Sequence, residues 1–75
     1  MKIRLLNIHI LNNIANNLKK FRSVNNISIE KLCNQTNISP RVMSKINKGQ
    51  YTKLTILECE KISFVLKIKI DDLIK

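Results

Sequence analysis

Glycine and proline are almost missing from this sequence: Gly49 and Pro40 are the only ones in 75 residues. A domain of many tight β-turns depends on the backbone geometry those two residues supply, so an all-β architecture is excluded and helices joined by short loops are expected. There is no tryptophan, and Phe21, Phe64 and Tyr51 are the whole aromatic content. Three rings are too few for a platform that stacks single-stranded nucleic acid, and Phe21 and Phe64 are expected in the core. The two cysteines, Cys33 and Cys59, form neither a disulfide framework nor a zinc-ligand pattern. As small buried residues they suit a reducing cytoplasm. His9 has no Cys, Asp or Glu at ligand spacing, so neither a metal nor any other cofactor is expected. No apolar run approaches the ~20 residues that span a bilayer. Asn7 and His9 interrupt the apolar start and no small-residue cleavage site follows, so no signal peptide is expected either. Ser28, Ser39, Ser44 and Ser63 have no base in their neighbourhood, and Asp71-Asp72 reads as a helix start. With no catalytic group beside its partner, an enzyme is disfavoured.

Acidic residues are the other scarcity. Five of them stand against fourteen lysines and arginines, a net charge of +9. The imbalance is uneven along the chain. Residues 1–27 hold Lys2, Arg4, Lys19, Lys20 and Arg22 and no acid at all. Residues 28–53 add Lys31, Arg41, Lys45, Lys48 and Lys53 against Glu30 alone, whereas residues 54–75 balance four lysines against Glu58, Glu60, Asp71 and Asp72. A positive field confined to the first 53 residues points to a polyanion on one side of the molecule and leaves the neutral tail free for self-association.

What is present is helical periodicity. Apolar residues make up 44% of the chain, enough for one compact domain over residues 1–75. Leu11, Ile14, Ala15, Leu18 and Phe21 repeat with helical spacing, predicting a helix from near Asn7–Ile10 to about Val24. Asn25-Asn26 is its natural stop. Ahead of it, Lys2-Ile3-Arg4-Leu5 is compatible with a short strand, an early helical turn or an arm over residues 1–6. Ser28 is placed to cap a second helix that buries Leu32 and Cys33, with Glu30 in its first turn. Ser39-Pro40 opens a third, with Ser as N-cap and Pro as first helical residue, running to Asn47 and closed by Lys48-Gly49. A polar loop from Gln50 to Leu54 leads to Thr55, the cap of a fourth helix with Cys59, Ile62, Ser63 and Leu66 inward. A last short helix spans Ile70 to Ile74. The expected fold is all-α, with five helices.

The second and third helices, joined by a three-residue turn, make a helix-turn-helix over about residues 28–48. Cys33 supplies the small residue where the two helices cross. Asn37 accepts the positive φ the turn requires, and Ile38 plugs the space between them. Met43 and Ile46 seat the third helix, leaving Arg41, Ser44, Lys45 and Lys48 outward as a basic, hydrogen-bonding face of a size that enters a DNA major groove.

The stretch Ile27 to Gly49, ISIEKLCNQTNISPRVMSKINKG, resembles the phage-repressor (Cro/CI, XRE) helix-turn-helix family, whose pattern is roughly LSxxxLAxxxGISxxxISxIExG. The segment ending Ile70-Asp71-Asp72-Leu73 resembles the family's close, so the likeness covers about residues 16–74. There are departures: Ile29 where members often carry Gln, Asn37 for the turn Gly, Asn47 for a Glu, and a longer loop after Gly49. In the family that Glu often pairs with an Arg at the end of the first helix. Here Arg22 is left to bond Asn47 or to turn outward to a phosphate. The resemblance implies base reading by Ser39, Pro40, Arg41, Ser44 and Lys45, with Arg41 and then Lys45 foremost. It places Arg22, Ser28, Lys48, Gln50, Tyr51 and Lys53 against phosphates.

The resulting expectation is a cytoplasmic, sequence-specific double-stranded-DNA-binding regulator of transcription. It would be a homodimeric repressor on a palindromic operator, self-associating through Ile68, Ile70, Leu73 and Ile74 in residues 68–75, without a small-molecule ligand or a membrane partner. A restriction–modification controller or an antitoxin-type regulator is the alternative within the class. A non-specific nucleic-acid binder, or an interaction module that keeps the fold without reading DNA, is the alternative outside it.

Overall fold

The computed structural model describes residues 8–75, which form five helices and no strand. The segment read as strand, turn or arm lies outside them. Helix α1 spans Ile8–Asn25, α2 Ile29–Thr36, α3 Pro40–Asn47, α4 Ile56–Leu66 and α5 Ile70–Ile74. Each falls within a residue or two of its sequence signal, because most ends carry a cap with a chemical cause. Ser28 Oγ accepts the Lys31 N–H at 3.0 Å, and Ser39 Oγ accepts that of Val42 at 3.3 Å. At α4 the cap is reciprocal: Thr55 Oγ1 accepts the Glu58 N–H at 3.2 Å while Glu58 Oε1 accepts the Thr55 N–H at 3.0 Å. Such a box satisfies two orphan amides at once.

The α1 stripe packs as its spacing requires: Leu11, Ile14, Ala15 and Leu18 are buried and Phe21 lies against the core. Leu32, Met43, Ile46, Cys59, Ile62 and Leu66 close the interior from α2, α3 and α4. α1 serves as the spine, in contact with α3, α4 and α5, while α2 lies between α3 and α4. Both thiols are buried and free. Burial raises the pKa of Cys33, and burial reinforced by the nearby Glu58 charge pushes that of Cys59 up to about 11. Both are therefore protonated, unreactive core residues at neutral pH.

Three expectations need correction. Leu54 is not part of a polar loop surface but a core residue, 2% exposed. Full burial of a leucine is worth about 1.5–3 kcal/mol, enough to draw the loop inward just before the α4 cap. Phe64, expected inside, is 84% exposed. It follows Ser63 by one position, about 100° further round a helix whose inward stripe Cys59, Ile62, Ser63 and Leu66 already fills. Leu73, expected on a self-association surface, is fully buried within its own chain.

Leu73 is buried because α5 is clamped onto α1 by asparagines. Asn17 Nδ2 donates to the Leu73 carbonyl at 2.8 Å and Asn13 Nδ2 to that of Ile74 at 3.3 Å. Asn25 Nδ2 donates to the Leu66 carbonyl at 2.9 Å. All three acceptors lie in a last helical turn, where carbonyls have no intrahelical partner. Gly49 fixes the opposite junction. Its φ is 72°, and a Cβ there would stand 2.9 Å from Asn12 Oδ1 and 3.4 Å from the Leu11 carbonyl oxygen.

Two substitutions test these junctions. Asn17→Ala removes one hydrogen bond to an otherwise unpaired carbonyl and should lower the unfolding free energy by about 1 kcal/mol in urea titrations. Gly49→Ala should cost a similar ~1 kcal/mol. The left-handed φ is worth about 1–2 kcal/mol against alanine, the exposed Asn12 side chain can swing clear, and the stiffer unfolded chain returns part of the loss.

Candidate nucleic-acid interface

The exposed face of α3 follows from how little of the helix is buried. Met43 and Ile46 are fully packed and Val42 is half-buried against the core. The remaining positions Arg41, Ser44, Lys45 and Lys48 are all exposed, and residues three, four and seven apart on a helix share one side. Arg41 and Lys45 therefore stand one turn apart with Ser44 beside them, and Lys48 extends the row past the helix end. An eight-residue helix is about 12 Å long, comparable to the width of a B-form major groove.

Ser39 and Pro40 are also exposed at the leading end of α3. Ser39 Oγ accepts its own capping bond, which leaves its O–H available as a donor. The turn that aims α3 is built as the sequence indicates. Asn37 has φ 63° and closes α2 by donating its N–H to the Cys33 carbonyl. Ile38 is buried. Thr36, read from sequence as the first residue of the turn, is instead the last residue of α2 and a further fixing point. Its buried hydroxyl donates to the Leu32 carbonyl at 2.7 Å and accepts the Ile38 N–H at 3.4 Å. A Thr at a helix end has this option of bonding back one turn, which is the signal that could have found it.

The residues expected at phosphates fall into two groups. Lys48, Gln50 and Lys53 are exposed on the loop after α3, and Tyr51 is half-buried with its ring against the core. Gln50 is anchored through its backbone N–H, which donates to the Lys45 carbonyl at 2.9 Å. Ser28 stands apart from them at the start of α2, lining an open polar hollow of about 310 Å³ with Lys19, Arg22, Ser23, Asn26 and Ile27. Lys19 and Ser23 were not singled out in the sequence. The clue was present, since positions 19, 22 and 23 share one side of a helix, with Asn26 in the turn just past its end.

Arg22 does not bond Asn47. Its Nη1 donates to the Ile27 carbonyl at 3.3 Å, holding the α1–α2 link, while Arg22 Nε and Asn47 Oδ1 are each buried without a partner. Asparagine is one methylene shorter than the family's glutamate and carries no charge, so it lacks both the reach and the attraction to hold a guanidinium. Among the described residues no group of three or more His, Cys, Asp or Glu could hold a metal ion, and no helix is long and apolar enough to cross a membrane.

Comparison with curated proteins and with solved structures gave no match. Comparison with protein families did: residues 17–75 match the Cro/C1-type HTH DNA-binding domain, a span that begins within α1 and takes in every helix after it. A short capped helix presenting a cationic row, set against a second by a left-handed turn residue and carried on a five-helix core, thus marks the chain as a member of the Cro/C1-type helix-turn-helix family of DNA-binding domains.

Proposed function

We propose that the chain is a sequence-specific regulator of transcription in the cytoplasm, binding duplex DNA as a homodimer on a palindromic operator and repressing by covering a promoter. The observation that carries this reading is the exposure of Arg41, Ser44, Lys45 and Lys48 on one side of α3, opposite Met43 and Ile46. Arg41 reads a base, most favourably guanine, whose O6 and N7 a guanidinium can grip bidentately. Lys45 and Ser44 read the next positions, and Ser39 and Pro40 meet the groove where α3 enters it.

Phosphates on either side set the register. Lys48, Gln50, Tyr51 and Lys53 hold one strand at the loop. On the other side the hollow at the α2 N-terminus gathers Ser28, Lys19, Arg22 and Ser23 where the helix dipole also favours an anion. One such helix contacts too few base pairs to find a site among a genome's competitors, whereas two linked copies multiply both affinity and specificity. Half-sites would then lie about 34–36 Å apart, one turn of DNA.

Selection of bound duplexes from a random pool at fixed salt should return an inverted repeat. Recovery of an unenriched pool would make the chain a non-specific binder. Arg41→Ala should weaken the selected site by about 1–3 kcal/mol and relax the preference at one base pair per half-site. Equal weakening on every sequence would make Arg41 a phosphate anchor instead. Lys53→Ala should weaken all duplexes alike and reduce the slope of log K against log salt by about 0.9 per lost contact.

A further inference from the structure

The cleft between α2 and the end of α4 has two unlike ends. Its wider part, an open groove of about 600 Å³, is walled by Phe64, Val65 and Ile68. Phe64 is 84% exposed, so its ring adds little to the packing of its own chain and forms the outer side of this wall. The narrower part, about 290 Å³, is polar and carries Lys31 from α2 and Lys67 from the close of α4. Gln35, Val65 and Lys67 line both parts, which makes them one continuous surface. The cleft was not legible in sequence, because its lining is drawn from α1, α2, α4 and the links between them.

Charge and hydrogen bonding decide what such a cleft accepts. Its lining holds two lysines and no acid. Among the described residues neither ammonium is paired with a carboxylate, and Glu60, one turn before Phe64, lies outside the lining beside Lys61. The end of α4 would ordinarily oppose an anion, since its last carbonyls form the negative end of the helix dipole. Here they are occupied. Asn25 Nδ2 donates to the Leu66 carbonyl at 2.9 Å, and the Lys67 and Ile68 N–H groups donate to those of Phe64 and Ser63 at 3.2 and 3.0 Å. Asn25 Nδ2 also donates to the Phe21 carbonyl at 3.1 Å, which uses both of its amide hydrogens. The donors left for a ligand are Lys31, Lys67 and Gln35, all exposed, with Lys31 and Gln35 one turn apart on the same side of α2. An apolar wall with a few convergent polar groups, in a volume of this order, is the usual form of a small-molecule site.

We propose that this cleft binds a free organic anion with an apolar body, a medium-chain or aromatic monocarboxylate. The carboxylate lies between Lys31 and Lys67, and the body lies along Phe64, Val65 and Ile68. A neutral apolar compound would leave both ammonium groups unused, and an inorganic anion would leave the wall bare. The proposal does not rest on the DNA reading above.

Titration with octanoate at fixed salt, without DNA and followed by amide chemical shifts, tests it. The shifts should saturate and centre on Lys31, Gln35, Val65 and Lys67. From butanoate to octanoate the affinity should rise about tenfold or more, and 1-octanol should bind more weakly than octanoate. Lys31→Gln and Lys67→Gln should each lower octanoate affinity about threefold, whereas Lys61→Gln, which removes the same charge outside the lining, should leave it unchanged. All three positions are exposed, so circular dichroism should hold. Absence of saturable binding, an affinity that is flat with chain length, or an equal loss in all three variants overturns the proposal. So do shifts at the same residues that follow protein concentration and resist octanoate, which would give the cleft to a second copy. Because no duplex is present, failure here leaves the regulator reading standing.

Discussion

The burial of Met43 and Ile46 is the constraint on which the rest of the molecule depends. Eight residues are too few for a helix to persist in water, where about 12–15 are already marginal. α3 exists because two side chains are sunk completely into the interior and because Ser39 and Pro40 set its first turn. Those same two side chains fix its rotation about its own axis. With one side committed inward, Arg41, Ser44, Lys45 and Lys48 have only the outward direction left. The exposure of this cationic row is thus a consequence of core packing, and a change in the core would displace the row without touching any of its own residues.

The interior is held in that arrangement by unusually economical means. No disulfide and no metal cluster occurs among the described residues. Side-chain amides do part of the work instead, with Asn13, Asn17 and Asn25 tying the last turns of α5 and α4 to α1. In composition the asparagines look like the mark of an AT-rich genome, which leaves their positions unexplained. In the fold three of them satisfy carbonyls that helix geometry leaves open.

Most of the architecture was legible because its signals are local. Ser28, Ser39-Pro40 and Thr55 each announce a helix through their own hydroxyl or ring, and Asn37 announces the turn through its tolerance of positive φ. The exposed cationic row was legible for a related reason, since helical spacing alone separates Arg41 and Lys45 from Met43 and Ile46. What could not be read depends on which side of an element the rest of the chain occupies. Leu54 looked like loop until the interior had room for it, and Phe64 looked like core until four neighbours had filled the inward stripe. Leu73 was read as surface because the asparagine clamps that press α5 home come from residues some 56 to 61 positions away. Arg22 was left to bond Asn47 or to turn outward to a phosphate, and the shorter, uncharged Asn47 side chain leaves its guanidinium on the Ile27 carbonyl instead.

Three backbone positions with positive φ, Asn26, Asn37 and Lys67, are not glycine. Each carries local strain that glycine would relieve, and each in exchange leaves the denatured ensemble fewer conformations to surrender on folding. The two effects oppose each other, and the strain is smallest at Asn26 and Asn37, whose short polar side chain tolerates the left-handed region. The chain thus ends α1, α2 and α4 with ordinary residues, and its denatured state is stiffer than that of a glycine-punctuated relative. Such a coil has a shorter conformational search at each of these three corners, which favours rapid recovery after unfolding in a protein with so small a core.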